Sequence, residues 1–148
     1  MLKTMTLFRA ALAVLAVSVQ LQAGGFWLIS GNPEASADAK SKQAVITVKA
    51  VGCHQPETAT VIGTATGMVN GQRKVLPLKL EPTSTPGMYV VTQQWPSEGK
   101  WVLSFEGRYG EAKTSLMLTA GPGGVDRTHQ KQAIGAPDKT QIEAMLAN

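Results

Sequence analysis

From Met88 to Phe105 the chain reads MYVVTQQWPSEGKWVLSF, two runs of alternating apolar residues joined through a Trp-Pro step and a Gly. Alternation with a period of two places successive side chains on opposite faces of a strand, so these runs describe half-buried antiparallel β-structure. Helical architectures with apolar stripes at a period of 3.6 are incompatible with this stretch.

The same pattern extends in both directions. Ala44 to Val51 carries Ala44, Ile46, Val48 and Ala50 on one face, with Thr47 and Lys49 on the other. Thr58 to Val69 is rich in Thr and Val and ends at Asn70-Gly71, the dipeptide favoured in type I′ turns because both central residues need φ > 0. A hairpin is expected there, returning from Gln72 to Leu80 with Leu76, Leu78 and Leu80 on one face. Pro77 has no N–H to give to a ladder, which predicts an edge position or a bulge. Trp101, Leu103 and Phe105 are expected to point inward, Ser104 and Glu106 outward. Ala112, Thr114, Leu116 and Leu118 mark the last clear strand. About six or seven short strands at intervals of roughly ten residues predict an all-β, immunoglobulin-like antiparallel sandwich.

Ahead of that pattern, Lys3 and Arg9 precede an apolar run from Ala10 to Val19, the form of an export signal. Two readings of its end stay open. Cleavage falls between Ala23 and Ala37, where Leu21-Gln22-Ala23 and Ala35-Ser36-Ala37 offer small-residue sites, or the run through Phe26-Trp27-Leu28-Ile29 stays as one uncleaved membrane span. Both put the domain outside the cytoplasm, periplasmic or otherwise extracytoplasmic, with membrane attachment only through that N-terminal segment. The organisation expected is a leader and linker over 1–37, a sandwich over 44–119, and a Gly- and Gln-rich flexible tail over 120–148 ending in a short helix around Ile142, Met145 and Leu146. Asn32 to Gln43 reads as a flexible linker.

Composition narrows the function classes. The chain has 148 residues, enough for one domain, and a net charge of +4. Its basic residues, among them Lys49, Arg73, Lys79, Lys100, Arg108 and Lys131, are scattered, so no footprint for nucleic acid is present. Aromatic residues make up 5% of the chain against 43% apolar overall, so the core must be built from aliphatic side chains around a few aromatic anchors.

Residues with chemical potential are few. Cys53-His54 pairs a thiol with an imidazole, both ligands for a soft metal such as copper. In a strand the two would face opposite ways; only a turn brings both onto one ion. With a single Cys no internal disulfide forms, and an ordinary thiol, a metal ligand, and redox or intermolecular disulfide chemistry are the roles open to Cys53. His129 is placed in the tail, and Met68, Met88 and Met117 are read as core fillers. Glu98, Glu106 and Glu111 sit near predicted turns and read as solvated rim residues. Ser104 and Ser115 lie in predicted strands, no G-x-S-x-G elbow occurs, and no enzyme or catalytic residue is assigned. Tyr89, Trp95 and Trp101 are assigned to the core in preference to an exposed stacking platform.

Pro86-Gly87-Met88-Tyr89, followed by Trp95-Pro96-Ser97-Glu98-Gly99-Lys100-Trp101-Val102-Leu103, resembles the G-x-Y and P-x-x-G-x-W-x-L elements of YtkA-like and FixH-like exported domains. The resemblance covers about Ala44 to Leu118. It implies a small immunoglobulin-like sandwich outside the cytoplasm, and some relatives of that build handle copper. The reading as a whole is an exported, non-catalytic domain that binds a protein or an envelope component, with a copper-handling accessory domain using Cys53 and His54 as the alternative.

Overall fold

Where the alternating runs meet Gly, Asn or Pro, the chain turns back on itself, and two antiparallel sheets result. The computed structural model describes residues 25–52 and 55–148. Its strands are β1 (Phe26–Gly31), β2 (Ile46–Gly52), β3 (Thr60–Val69), β4 (Gln72–Leu78), β5 (Glu81–Pro82), β6 (Met88–Val91), β7 (Lys100–Tyr109), β8 (Ala112–Gly121) and β9 (Gly124–Ile134). Two helices join them, α1 (Ala37–Ser41) and α2 (Lys139–Ala147). One sheet has the order β1-β2-β6-β5, the other β4-β3-β7-β8-β9. This is the A-B-E-D against C-F-G arrangement of an immunoglobulin sandwich, with β4 as an added strand beside C and β9 appended beyond G.

Local chemistry sets the turns. Asn70 and Gly71 have φ of 51° and 74°, the two positive values of a type I′ turn, and close the β3–β4 hairpin. Pro77 stands on β4, an edge strand, as its missing N–H requires. The corner after β7 lies at Gly110-Glu111, because β7 keeps pairing with β8 through Tyr109.

The interior is organised by size complementarity between β3 and β7. Gly63, Ala65 and Gly67 are in register with Phe105, Leu103 and Trp101, so the smallest side chains face the largest. A Cβ on Gly67 would fall 2.3 Å from the Trp101 ring, and one on Gly63 2.9 Å from the Phe105 ring. Trp101 is fully buried, and its Nε1–H donates to Glu98 O at 2.9 Å, which satisfies the indole's only polar group. Leu103, Phe105, Leu116 and Leu118 complete the layer from this sheet, with Trp95 added from the connection between β6 and β7; Ile46, Val48, Val91 and Leu28 face them from the other sheet.

Three expectations are corrected. Phe26-Trp27-Leu28-Ile29 is not an extension of the leader but β1: Phe26 and Leu28 enter the core, and Phe26 lies over Gly107, where a Cβ would meet its ring at 2.9 Å. Asn32–Gln43 is not a loose linker. Asn32 Oδ1 accepts from Glu34 N, Ser36 caps α1, and Ala39 is buried, so this segment forms a strap tied down at both ends of α1. The stretch after Gly121 is not a mobile tail, since Pro122-Gly123 turn the chain into β9. Its polar composition follows from its edge position: Gln132 Nε2 donates to Leu28 O at 2.7 Å, and Gln130 bonds Ser30, so its glutamines close the open flank of the sandwich onto β1. The sandwich therefore runs from Phe26 to Ile134, wider than 44–119 at both ends.

The outer face of the five-stranded sheet also carries an apolar patch. Val102 and Met117 are buried there under α2, which contributes Met145, Ile142 and Leu146. Capping by Asp138, whose side chain accepts from Thr140 N at 2.8 Å, starts that helix, and an ion pair between Arg73 and Glu143 ties it to β4. This cover explains why Val102, which stands on the opposite face of β7 from Trp101 and Leu103, is buried. Among the described residues no helix is long and apolar enough to cross a membrane.

Trp101→Ala should lower stability by about 3 to 5 kcal/mol through the cavity it leaves, read as a shift in the urea midpoint; an unchanged midpoint contradicts this packing. A chain starting at Asp38 lacks β1 and should lose cooperative unfolding, whereas one starting at Gly24 should keep it. Equal transitions for the two would contradict a structural role for Phe26 and Leu28.

Candidate functional site

On the four-stranded sheet the inner face is spent on the core, so the outer face is where β1, β2 and β6 present what remains. Register places Ile29, Lys49 and Met88 side by side in one row across these strands, with Trp27 and Val51 in the row towards one end and Gly31, Thr47 and Val90 in the row towards the other. Trp27 is 41% exposed and Ile29 39%, whereas Thr47 and Val90 are buried. The difference is the strap, which lies over the second half of this face.

Two polar ties hold the strap. Asp38 Oδ2 accepts from Ser84 N and Ser84 Oγ, both at 2.7 Å, and Lys42 Nζ sits 3.1 Å from Glu81 Oε2 on β5. The hydrogen bonds from the Ser84 backbone and hydroxyl, helped by Lys42, hold the Asp38 carboxyl below its ordinary pKa. Lys42 likewise lowers that of Glu81, first by hydrogen bonding and then by its charge.

Between strap and sheet lies a cleft of about 500 Å³, with Ile29, Thr47, Lys49 and Met88 as its floor and Ala35, Ser36, Ala37 and Asp38 as its far wall. Ser84 and Thr85 close one end. Its size falls within the range of small-ligand sites. Trp27 and Ile29 were hidden from sequence reading inside an apparently continuous apolar run. Their signal was the alternation Phe26/Leu28 against Trp27/Ile29, bounded by Gly24-Gly25 and Gly31-Asn32-Pro33.

The other candidate residues are distributed differently. Cys53 and His54, the proposed metal pair, lie outside the described residues; the flanking Gly52 and Pro56 line a shallow hollow with Lys49, Glu57 and Pro86. Among the described residues no group of three or more His, Cys, Asp and Glu side chains is placed to hold a metal ion. His129 is not in a loose tail. It stands in β9 where the register with β8 is irregular, and its Nδ1 is 2.7 Å from Asp126 Oδ2. That contact, with a second bond from Thr128 N, lowers the Asp126 pKa.

Of the three methionines read as core fillers, Met117 is buried, Met88 lines the cleft and Met68 is exposed. Tyr89 packs against the core and Trp95 and Trp101 lie within it, so none of them forms a surface platform. Glu98 and Glu111 are exposed at opposite ends of β7, separated by a strand of roughly 30 Å at its ordinary rise per residue. A glycosidase pair needs carboxyls within about 10 Å. Glu106 is not a rim residue: only 8% exposed, it pairs with Arg108 Nε at 2.5 Å. Ser104 and Ser115 donate to Thr64 O and Ala133 O within the sheet.

Scans against protein-family models, curated proteins and solved structures return no match for this chain.

The strap's attachment depends on pH with a definite sign. Asp38 has a folded pKa below its unfolded value of about 3.9, so its contribution is present above that value and is lost as pH falls through the folded pKa. The thermal midpoint of Asp38→Ala should therefore lie below wild type at pH 7, and the gap should close on acidification towards pH 3. A gap independent of pH would show that the carboxylate does not hold the strap.

Proposed function

We propose that this chain is an exported, non-catalytic immunoglobulin-type module that binds an envelope component through the outer face of its four-stranded sheet. The observation that carries this reading is the pair Trp27 and Ile29, both about two-fifths exposed, standing in the open beside a cleft on the same face. An indole left half in water, next to a concavity with a few polar groups, is the usual composition of a recognition surface.

Export is supported by Lys3, Arg9 and the apolar run from Ala10 to Val19, which lie outside the described residues. The position of β1 adds a constraint on processing. Cleavage after Ala37 would remove Phe26 and Leu28 from the core together with half the strap, whereas cleavage after Ala23 leaves the whole sandwich in the mature chain. The resemblance of the Gly87-Met88-Tyr89 and Pro96-to-Leu103 segments to exported YtkA-like and FixH-like domains supports the same compartment.

Cross-linking the exported protein in intact cells and recovering it from envelope fractions tests the surface. Wild type should retain a specific cross-linked species that Trp27→Ala loses, while Trp27→Ala keeps the wild-type thermal midpoint to within a few degrees. Retention of the species by Trp27→Ala would remove this face from the binding role.

A further inference from the structure

We infer that the cleft beneath the strap takes a ligand bearing a carboxylate next to an aliphatic group, with Lys49 as the carboxylate's partner. The inference rests on the binding reading of this face and adds the chemistry of what it recognises.

The argument begins with how the polar groups around the cleft are used. Ser30 is bonded to Gln130, Asn32 to Glu34 N, Ser36 to Ala39 N, and Asp38 to Ser84. These groups hold the wall in place and have been committed to the protein itself. Lys49 is the cation lining the cleft, and among the described residues no carboxylate lies within ion-pairing distance of it. The other lysines near the strap are spent: Lys40 pairs with Glu34, and Lys42 with Glu81.

Position gives that unspent charge its selectivity. Lys49 is paired in register with Ile29 on one side and Met88 on the other, so a cation stands between two apolar side chains on a rigid sheet. Its half-buried stem packs along that surface while three N–H donors remain for an acceptor. A charge-assisted hydrogen bond in a partly enclosed site is about twice as strong as a neutral one. Ala35 and Ala37 face this row from the strap and offer methyl groups in place of donors. A small anion with no apolar part would leave Ile29, Met88 and the alanines wet, and an uncharged alkyl group would leave Lys49 unanswered. A carboxylate carrying a short aliphatic body satisfies both.

Such chemistry comes from a fatty acid or from the C-terminus of a peptide, and the test separates these sources. The folded chain, with Ile and Met methyls labelled, is titrated with octanoate and with acetyl-leucyl-alanine, and in parallel with octanol and the amide of the same peptide. At least one carboxylate should shift the Ile29 and Met88 methyl signals saturably, its uncharged counterpart should bind about tenfold more weakly, and Lys49→Met should remove that advantage. Whichever carboxylate binds names the source. Equal binding of charged and uncharged probes, or an undiminished preference in Lys49→Met, overturns the inference while leaving the face as a binding surface. Absence of shifts with all four probes also overturns it, and the cross-linking of Trp27 then decides separately whether the binding reading survives.

Discussion

The sandwich depends on a single close approach, the Trp101 indole lying against the backbone of Gly67. Because β3 offers Gly63, Ala65 and Gly67 where β7 offers Phe105, Leu103 and Trp101, the two central strands fit without displacing the neighbouring chain. Packing at interior density leaves no room for compromise at such a point. The same device recurs where Gly107 admits Phe26, which fastens the first strand to the far sheet and fixes where the immunoglobulin order begins. In a chain with so few aromatic side chains, glycines opposite the rings of Trp101, Phe105 and Phe26 are what allow these three to be buried.

From that constraint the outer faces follow. Once inner positions are filled by alternation, each strand's remaining side chains must face water or a cover. The five-stranded sheet is covered in part by α2, through Met145 on Val102 and Met117. The four-stranded sheet is covered in part by the strap, which is held by polar ties and not by a large apolar contact. A cover made of ties encloses space beneath it. The cleft lies beneath that cover, on the outer face that Lys49 shares with the exposed Trp27.

Much of the central fold was legible in the residues themselves. Alternation placed Trp101, Leu103 and Phe105 inward, Asn70-Gly71 gave the hairpin, and Pro77 marked an edge; all depend on forces acting within a few residues. What escaped was non-local. β1 hid because Phe26 to Ile29 continues the apolarity of the preceding run, and only pairing with β2 distinguishes a strand from a leader. β9 hid because an edge strand that contacts the other sheet through Gln130 and Gln132 has no need of apolar alternation. The burial of Val102 and Glu106 depends on what lies over the outer face of β7, which local periodicity does not encode. The candidate site combines these omissions: Trp27 and Ile29 from a strand read as leader, Asp38 from a strap read as linker, and Lys49, whose outward direction alone was evident.

A double-mutant cycle between Gly67 and Trp101 tests the central packing most directly, since it isolates the approach from the rest of the core. With Trp101 present, Gly67→Ala should destabilise by about 1 to 3 kcal/mol, the usual cost of overpacking. In a Trp101→Leu background, where the ring is gone, the same substitution should cost almost nothing. An equal penalty in both backgrounds would contradict the account, because it would show that Gly67 is required for a reason unrelated to the indole above it.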